Sequence, residues 1–376
     1  MQKLKTTLKV IGLSLVGLII AVLLGVVLFV NLSPQFGKSP TKEQKATYAK
    51  TGHYKEGKFV NDTRTEMDIH FWPTLKKMLN PQAKRSPKIN IPVDKIDSLE
   101  IVNHQANITQ LTWFGHSAFL LELDGKKLLL DPMFGESPSP VPMLAGKRYS
   151  KELPIAVEKL PFIDAVIFSH DHYDHLDYGS IQKLKDKVGQ WFTPLGVGNH
   201  LIEWGVPEQN VHQLNWWDDI KIDQIELVCT PARHFSGRGL TDRNTTLWAS
   251  WVIKGTNENI YFSGDGGYGQ HFKEIGKKYG PFDISMMECG QYNQDWHAIH
   301  MMPEETAQAA VDLKSKLFMP IHWGAFTLAF HNWTDPAERV TKAAKELNQP
   351  ITTPKIGEPV IIGAIDYPTA RWWENY

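Results

Sequence analysis

Cysteine is nearly absent. Cys229 and Cys289 are the only two in 376 residues, and neither belongs to a CxxC pair. A disulfide scaffold is excluded. Charge of one sign is missing as well: the net charge is -1. With no basic excess to neutralise phosphates, nucleic acid is excluded as the main partner. No repeat recurs at solenoid period and no low-complexity tract interrupts the chain. What is present is material for a large core, with 42% hydrophobic residues and 13 tryptophans.

The first 30 residues are different material. Val10 to Val30, "VIGLSLVGLIIAVLLGVVLFV", is 21 residues without a charge. A helix of that length spans roughly 30 Å, the hydrocarbon thickness of a bilayer. A cleavable signal would have a shorter apolar core followed by a small-x-small site. The following "NLSPQFG" has no such site, and no cysteine stands there for a lipid anchor. The expectation is an uncleaved, single-pass membrane anchor over residues 1–31. Lys3, Lys5 and Lys9 precede it, and Lys38, Lys42, Lys45 and Lys50 follow. The positive-inside count is nearly balanced. A basic N-terminus on a first segment stays inside, which places the rest of the chain outside the cytoplasm.

Residues 32–107 read as an extension packed on a main domain at 108–376. The extension is rich in Pro, Lys and Asn, with few strand signals. Within "MDIHFWPTLKKMLNP", Ile69, Trp72, Leu75 and Leu79 share one helical face. The expectation is a short helix packed on the main domain, with an interfacial helix lying on lipid as the alternative.

The main domain begins with strands. "ITQLTWFG" and "SAFLLELDGKKLLLDP" are successive strands, with Asp124-Gly125 as a hairpin turn. "DAVIFSH" is a third strand and "YGSIQKLKDKV" a helix. "IELVCTP", "TLWASWVIK" and "NIYFSGD" are strands, "YGQHFKEIGKKYG" a helix, "DISMMEC" a strand, "PEETAQAAVDLKSK" a helix and "LFMPIHWG" a strand. Hairpins first, then alternating strands and helices, suggest two packed sheets with helices outside, an α/β class. His170, His234, Asp265 and His322 all stand at strand C-termini.

Ser169 to Asp177, "SHDHYDHLD", crowds three histidines and three aspartates behind the apolar run "AVIF". A core tolerates so many polar groups only where something satisfies them. His170, His172, Asp174 and His175 have the spacing H-x-H-x-D-H. Imidazole nitrogen and carboxylate oxygen suit zinc. Four ligands on one tight turn diverge too much to reach one tetrahedral ion. Two ions a few ångströms apart would share them, completed by His234 in "PARHFSG", Asp265 in "FSGDGGYG" and His322 in "PIHWG". Gly264, Gly266 and Gly267 permit the tight backbone such a loop needs.

At "HDHYDH" the chain resembles the metallo-β-lactamase fold, an αββα sandwich with metals at its edge. "WFGHSAFLLELDGKKLLLDP", "IDAVIFSHDHYDHLDY", "LWASWVIKG", "YFSGDGGYGQHFKEIGKKYGPFDI", "PEETAQAAVDLKSK" and "IHWGAFTLAF" narrow the likeness. Together they are similar to the N-acyl-phosphatidylethanolamine-hydrolysing phospholipase D family. The likeness runs from about Ile108 to Glu346, with an echo from "SPQFGKSP". It implies that His170, His172 and His234 hold one zinc, that Asp174, His175 and His322 hold the other, and that Asp265 bridges them. His300 falls where the family has a histidine beside the reacting phosphate. The segment "MECGQYNQDWHAIH" departs from the family here, so His297 is its competitor.

Two zincs would lower the pKa of a shared water and polarise a phosphoryl oxygen. Attack on phosphorus would then expel an alcohol; the resemblance implies that the products are an N-acylethanolamine and phosphatidic acid, with Asp174 and His300 as the catalytic groups. His116 in "WFGHSA" and Asp131 in "LLLDP" are candidates to orient the ligands. Arg233, Arg238 and Arg243 flank His234; solvated surface positions are expected for them, with phosphate or headgroup contact as the alternative. The expected partners are a phospholipid substrate and the bilayer, and a homodimer is compatible with the sequence. Two rival readings remain: a hydrolase of the same fold acting on a soluble substrate such as a sugar-phosphate lactone, and a membrane-tethered binding protein without activity.

Overall fold

Alternation decides which way each strand faces. In the computed structural model, which describes residues 2–79 and 83–376, Leu128 and Leu130 enter one apolar cluster while Leu129 between them enters another. The same parity splits Leu227 from Val228 and Trp251 from Val252. Successive side chains of a strand point to opposite faces. A sheet with both faces buried must therefore be covered twice.

The chain opens with α1 (Gln2–Leu32) and α2 (Lys42–Tyr48). A small hairpin of β1 (Tyr54–Lys55) and β2 (Lys58–Phe59) follows, then α3 (Phe71–Leu79) and α4 (Ser98–Val102). The next elements are β3 (Gln110–Trp113), β4 (Phe119–Leu123), β5 (Lys126–Leu130), β6 (Ile163–Ile167), α5 (Tyr178–Leu184), β7 (Val188–Pro194), α6 (Gly198–Glu203) and β8 (Val211–Leu214). The second half holds β9 (Asp219–Ile222), β10 (Ile225–Thr230), β11 (Ser250–Lys254), β12 (Asn259–Phe262), α7 (His271–Lys278), β13 (Ile284–Glu288), α8 (Pro303–Asp312), β14 (Phe318–Ile321), α9 (Asp335–Glu346) and β15 (Pro359–Ile361). One sheet has the order β15-β3-β4-β5-β6-β7-β8 and the other β14-β13-β12-β11-β10-β9.

The first cluster joins Leu121, Leu128 and Ile167 of one sheet to Leu227, Trp251 and Phe262 of the other. It is the interior of a sandwich. The outer faces are covered by Ile181 and Leu201 of α5 and α6, and by Ile275, Ala310 and Val340 of α7, α8 and α9. The architecture is the expected αββα sandwich. The Asp124-Gly125 turn is also as expected, with φ of 52° and 75° at its two residues in the two-residue loop between Leu123 and Lys126. Patterning assigned nothing to residues 188–224 or beyond 325, where the structure places β7, α6, β8, β9, α9 and β15.

Strand direction is what positions the site. β3 and β5 both run antiparallel to β4, and β6 is parallel to β5. In the other sheet β10 and β12 both run antiparallel to β11, and β13 and β14 continue parallel to β12. Just beyond the C-termini of six of these strands stand His116, Asp131, His170, His234, Asp265 and His322, and Glu288 ends β13.

The N-terminal segments behave differently from one another. α1 buries no residue and is long and apolar enough to cross a membrane. Tyr48, Tyr54, Phe59 and Ile91 of the extension are buried in the inter-sheet cluster. α3 departs from the packed helix expected of it. None of its residues is buried, and Phe71, Trp72 and Leu79 are 68%, 75% and 76% exposed. Pro73 is accommodated because it lies in the first turn, where its missing N–H would have no helical partner.

Candidate metal centre

The loop after β6 begins the site. Asp131, at the end of neighbouring β5, accepts from the backbone N–H of Ser169 at 2.7 Å and from its hydroxyl. Since the Ser169 hydroxyl donates to Asp131, it accepts from His170 Nδ1 at 2.9 Å. His170 Nε2 is then a bare lone pair. His234 donates Nδ1–H to the carbonyl of Ile299 at 2.9 Å, so its Nε2 is bare too. Both face His172 Nδ1, at 2.8 and 3.3 Å. At most one of the three converging nitrogens can carry a proton, so two lone pairs always meet without one. A cation satisfies all three, and the set fits a metal ion.

The second set is built the same way. His175 donates Nδ1–H to Asp131 at 2.6 Å. Its buried Nε2 has no hydrogen-bond partner, although Asp265 Oδ2 stands 3.1 Å away. His322 Nδ1 lies 3.0 Å from Asp265 Oδ1, and His116 Nε2 meets Asp174 Oδ2 at 2.9 Å. The ligand atoms of His170, His172, His234 and Asp265 lie within 4.8 Å of one another, and so do those of His116, Asp174, His175 and His322. Asp265 reaches both sets, with Oδ2 also 3.9 Å from His170 and from His234. All seven residues expected as ligands therefore meet in one place. His116 stands inside the second set rather than behind it, while Asp131 lies behind both and fixes the tautomers of His170 and His175.

Electrostatics favours a cation here. Burial and neighbouring histidines hold His170 well below its usual range. Burial does the same to His234 and pushes His322 down to about 3. For Asp174 and Asp265, burial acts upward, but the surrounding histidines outweigh it and hold both well below the carboxylate range. Neutral imidazoles beside ionised carboxylates are the forms that bind metal. His175 is the exception: against burial, Asp265, Asp174 and Asp131 hold it well above its usual range. A metal at Nε2 would stand in place of that proton.

The backbone is strained around these ligands. His116, Asp131 and His322 have φ of 56°, 38° and 66°, left-handed values that are uncommon away from glycine. Gly264 has φ of 56°, and a Cβ there would stand 2.5 Å from the Cβ of Ser169. This close passage brings Asp265 against the β6 loop.

Residues 126–323, just over half of the chain, match the Beta-lactamase superfamily domain. The chain belongs to the β-lactamase superfamily. It is a metal-dependent hydrolase of the metallo-β-lactamase fold. An uncharacterised protein of Mycobacterium tuberculosis is 38% identical over 328 residues, covering 84% of this chain and 86% of that one. N-acyl-phosphatidylethanolamine-hydrolyzing phospholipase D 1 of Caenorhabditis elegans is 32% identical over 260 residues, covering 66% of this chain and 72% of the relative. The crystal structure of an isothiocyanate hydrolase from Delia radicum gut bacteria shares the fold, with a TM-score of 0.54, 23% identity, and coverage of 67% of this chain and 98% of that one.

In this superfamily member a cavity of about 250 Å³ opens on the histidines, lined by Met67, Ile69, Phe235, Trp296, His300 and Leu328 among others. A larger one of about 720 Å³ lies beside it, between α3 and Phe330. The smaller cavity holds the convergent donors. His300 lines it, whereas His297 is exposed and turned to the Gln294 carbonyl.

Sequence reading passed over Glu288. It is fully buried, 3.2 Å from His300 Nδ1, and accepts from the N–H of Met301. Burial pushes its carboxyl up to about 7, and His300 opposes that shift. Burial works to lower His300 in turn, but Glu288 outweighs it and holds the imidazole above its usual range. The available signal was a carboxylate ending the largely apolar strand "ISMME".

The flanking arginines correct the surface reading. Arg238 is buried and donates to the carbonyls of Asp171, Leu176 and Gln35. Arg233 binds Thr65 and the Arg64 carbonyl of the extension, and Arg243 stacks on Phe235 at 4.0 Å. Asn61 of the same extension makes two hydrogen bonds to the backbone of His234.

Proposed function

We propose that the chain is a membrane-anchored, dinuclear zinc phosphodiesterase of the phospholipase D type, acting on N-acyl-phosphatidylethanolamine-like phospholipids. The observation that carries this reading is the two-set histidine and aspartate centre, set in a chain 32% identical over 260 residues to a phospholipase of that name. His170, His172 and His234 would hold one ion and Asp174, His175 and His322 the other, with Asp265 within reach of both sets. The metals, when bound, supply Lewis acidity toward a phosphoryl oxygen and make a water molecule acidic near neutral pH.

The protein's own groups do the rest. Asp131 keeps the His170 and His175 rings turned so that Nε2 faces inward. His300, its Nδ1 held by Glu288, lines the cavity and would donate its Nε2–H to the substrate phosphate. Asp174, with His116 on one oxygen, keeps negative charge beside the reacting water. Met67, Ile69, Phe235, Trp296 and Leu328 give the cavity an apolar wall for acyl chains. α1 holds the domain at the bilayer, as a single-pass anchor with the site outside the cytoplasm.

Hydrolysis of N-acyl-phosphatidylethanolamine in oxygen-18 water tests the reading. The label should appear in phosphatidic acid. Label in a fatty acid means carboxyl-ester cleavage and ends the phosphodiesterase reading. Turnover of a lactone with no lipid hydrolysis assigns the soluble-substrate alternative.

A further inference from the structure

α3 has the composition of a core-facing helix and none of the burial. Phe71, Trp72, Met78 and Leu79 are exposed, and an apolar face of that size in water marks a contact surface. Beside it lie basic groups. Lys77 pairs with Asp295 at 2.8 Å, which leaves Lys76, and Lys84 and Arg85 on the segment that lines the same larger cavity, without an acidic partner among the described residues. Nearby, Glu66 pairs with Arg64, and Asp68 stands 3.1 Å from His70. Apolar side chains with unpaired lysines around them suit an anionic bilayer surface.

Two contacts fix where this helix sits. Met67 and Ile69, just before it, line the cavity that opens on the histidines. α1 leaves toward the same region: Phe29 packs on Phe36 at 5.4 Å, and Phe36 on Tyr173, inside the H-x-H-x-D-H loop, at 6.3 Å. The end of α1 is thus tied to the loop whose His172 and Asp174 line the cavity that the residues just before α3 also line. The hairpin at Asn257 lies at the far end of the strands, since β12 runs from it toward Asp265.

We propose that α3 docks on an anionic bilayer and opens the site cavity directly onto it, so that substrate enters between Ile69 and Trp296 without crossing water. The inference rests on the anchoring part of the proposed function and is independent of its chemistry. Its test uses the full chain in vesicles of phosphatidylcholine with about 30% phosphatidylglycerol. Cys229 and Cys289 are buried, so a fluorophore attaches at an introduced cysteine: Phe71→Cys, Leu18→Cys or Asn257→Cys.

Brominated lipid tails should quench the labels at residues 71 and 18 and spare the label at 257. Adding Lys76→Glu, or omitting phosphatidylglycerol, should lower the quenching at 71 and leave that at 18 unchanged. Quenching at 18 without quenching at 71 overturns the inference. Equal quenching at 71 with and without phosphatidylglycerol overturns the anionic assignment. No quenching at either position removes the anchoring reading, and this inference with it.

Discussion

Arg238→Ala isolates the contribution of a single guanidinium to the metal loop. Its Nη1 donates to the carbonyls of Asp171 and Leu176, which bracket His172, Asp174 and His175. Its Nε and Nη2 both donate to Gln35, and the group stacks on Tyr173 at 4.0 Å. Hydrogen bonds from a charged donor contribute about 1.5–3 kcal/mol each, and buried acceptors left alone cost about as much. Three acceptors share one donor group, so the terms do not add in full. A loss of about 4 kcal/mol follows, in the range for breaking a buried charged network of about 3–5 kcal/mol. At roughly 2 °C per kcal/mol for a chain of this size, Tm should fall by about 8 °C. Metal content after dialysis should fall with it, because the loop that loses its strut carries candidate ligands. Arg238→Lys should recover less than half of the loss, since an ammonium cannot fork to three carbonyls. Thermal unfolding in detergent, paired with metal analysis, measures both. An alanine variant with unchanged Tm and full metal would refute the reasoning.

Other outcomes follow from the same geometry. On the proposed dinuclear reading, Asp265→Ala should cost both ions and nearly all activity, and metal analysis showing one ion retained would mean that Asp265 does not serve both sets. Asp131→Asn should weaken metal binding by about 10–100-fold, since the amide no longer fixes the His170 and His175 tautomers; competition with a chelator reads it. His300→Ala and Glu288→Ala should keep the metals and lower kcat, and metal loss in either would make His300 a ligand. Removing residues 1–31 should leave a folded, metal-loaded domain, since α1 buries nothing. Removing residues 1–38 should destabilise it by about 2 kcal/mol more, because Trp204 and Arg238 lose their partners at Pro34 and Gln35; denaturant melts of the two forms compare them.

The site was legible because its ligands follow the most apolar strands. "AVIF", "IYF" and "FMPI" announce buried strands, and a histidine or aspartate directly behind such a run has little use other than chemistry. Glu288 escaped because it is the last residue of its strand rather than the first of a loop. Arg238 escaped because a lone arginine is usually solvated; one of the carbonyls that receive it belongs to Gln35, 203 residues away in sequence. The strand β7, "VGQWFTP", carries glycine, glutamine and proline and shows no alternation, yet it is paired on both sides inside a parallel stretch. Tertiary pairing, not propensity, makes it a strand. α3 was misjudged because an apolar helical face predicts burial without specifying what covers it.

The common direction of the site-bearing strands has a consequence for how the protein matures. Ser117 and His322 touch across 205 residues of chain, and both ligand sets draw on the two sheets together. Synthesis runs from the N-terminus, so the H-x-H-x-D-H loop is made long before its last partner. A half-made chain can offer metal only one short cluster with no Asp265 or His322. Tight loading must wait until the second sheet closes on the first, and metal bound there would then hold the sheets together in turn. Chelation should therefore loosen the whole sandwich rather than one loop, and metal supply would set how much of the finished chain persists in the cell.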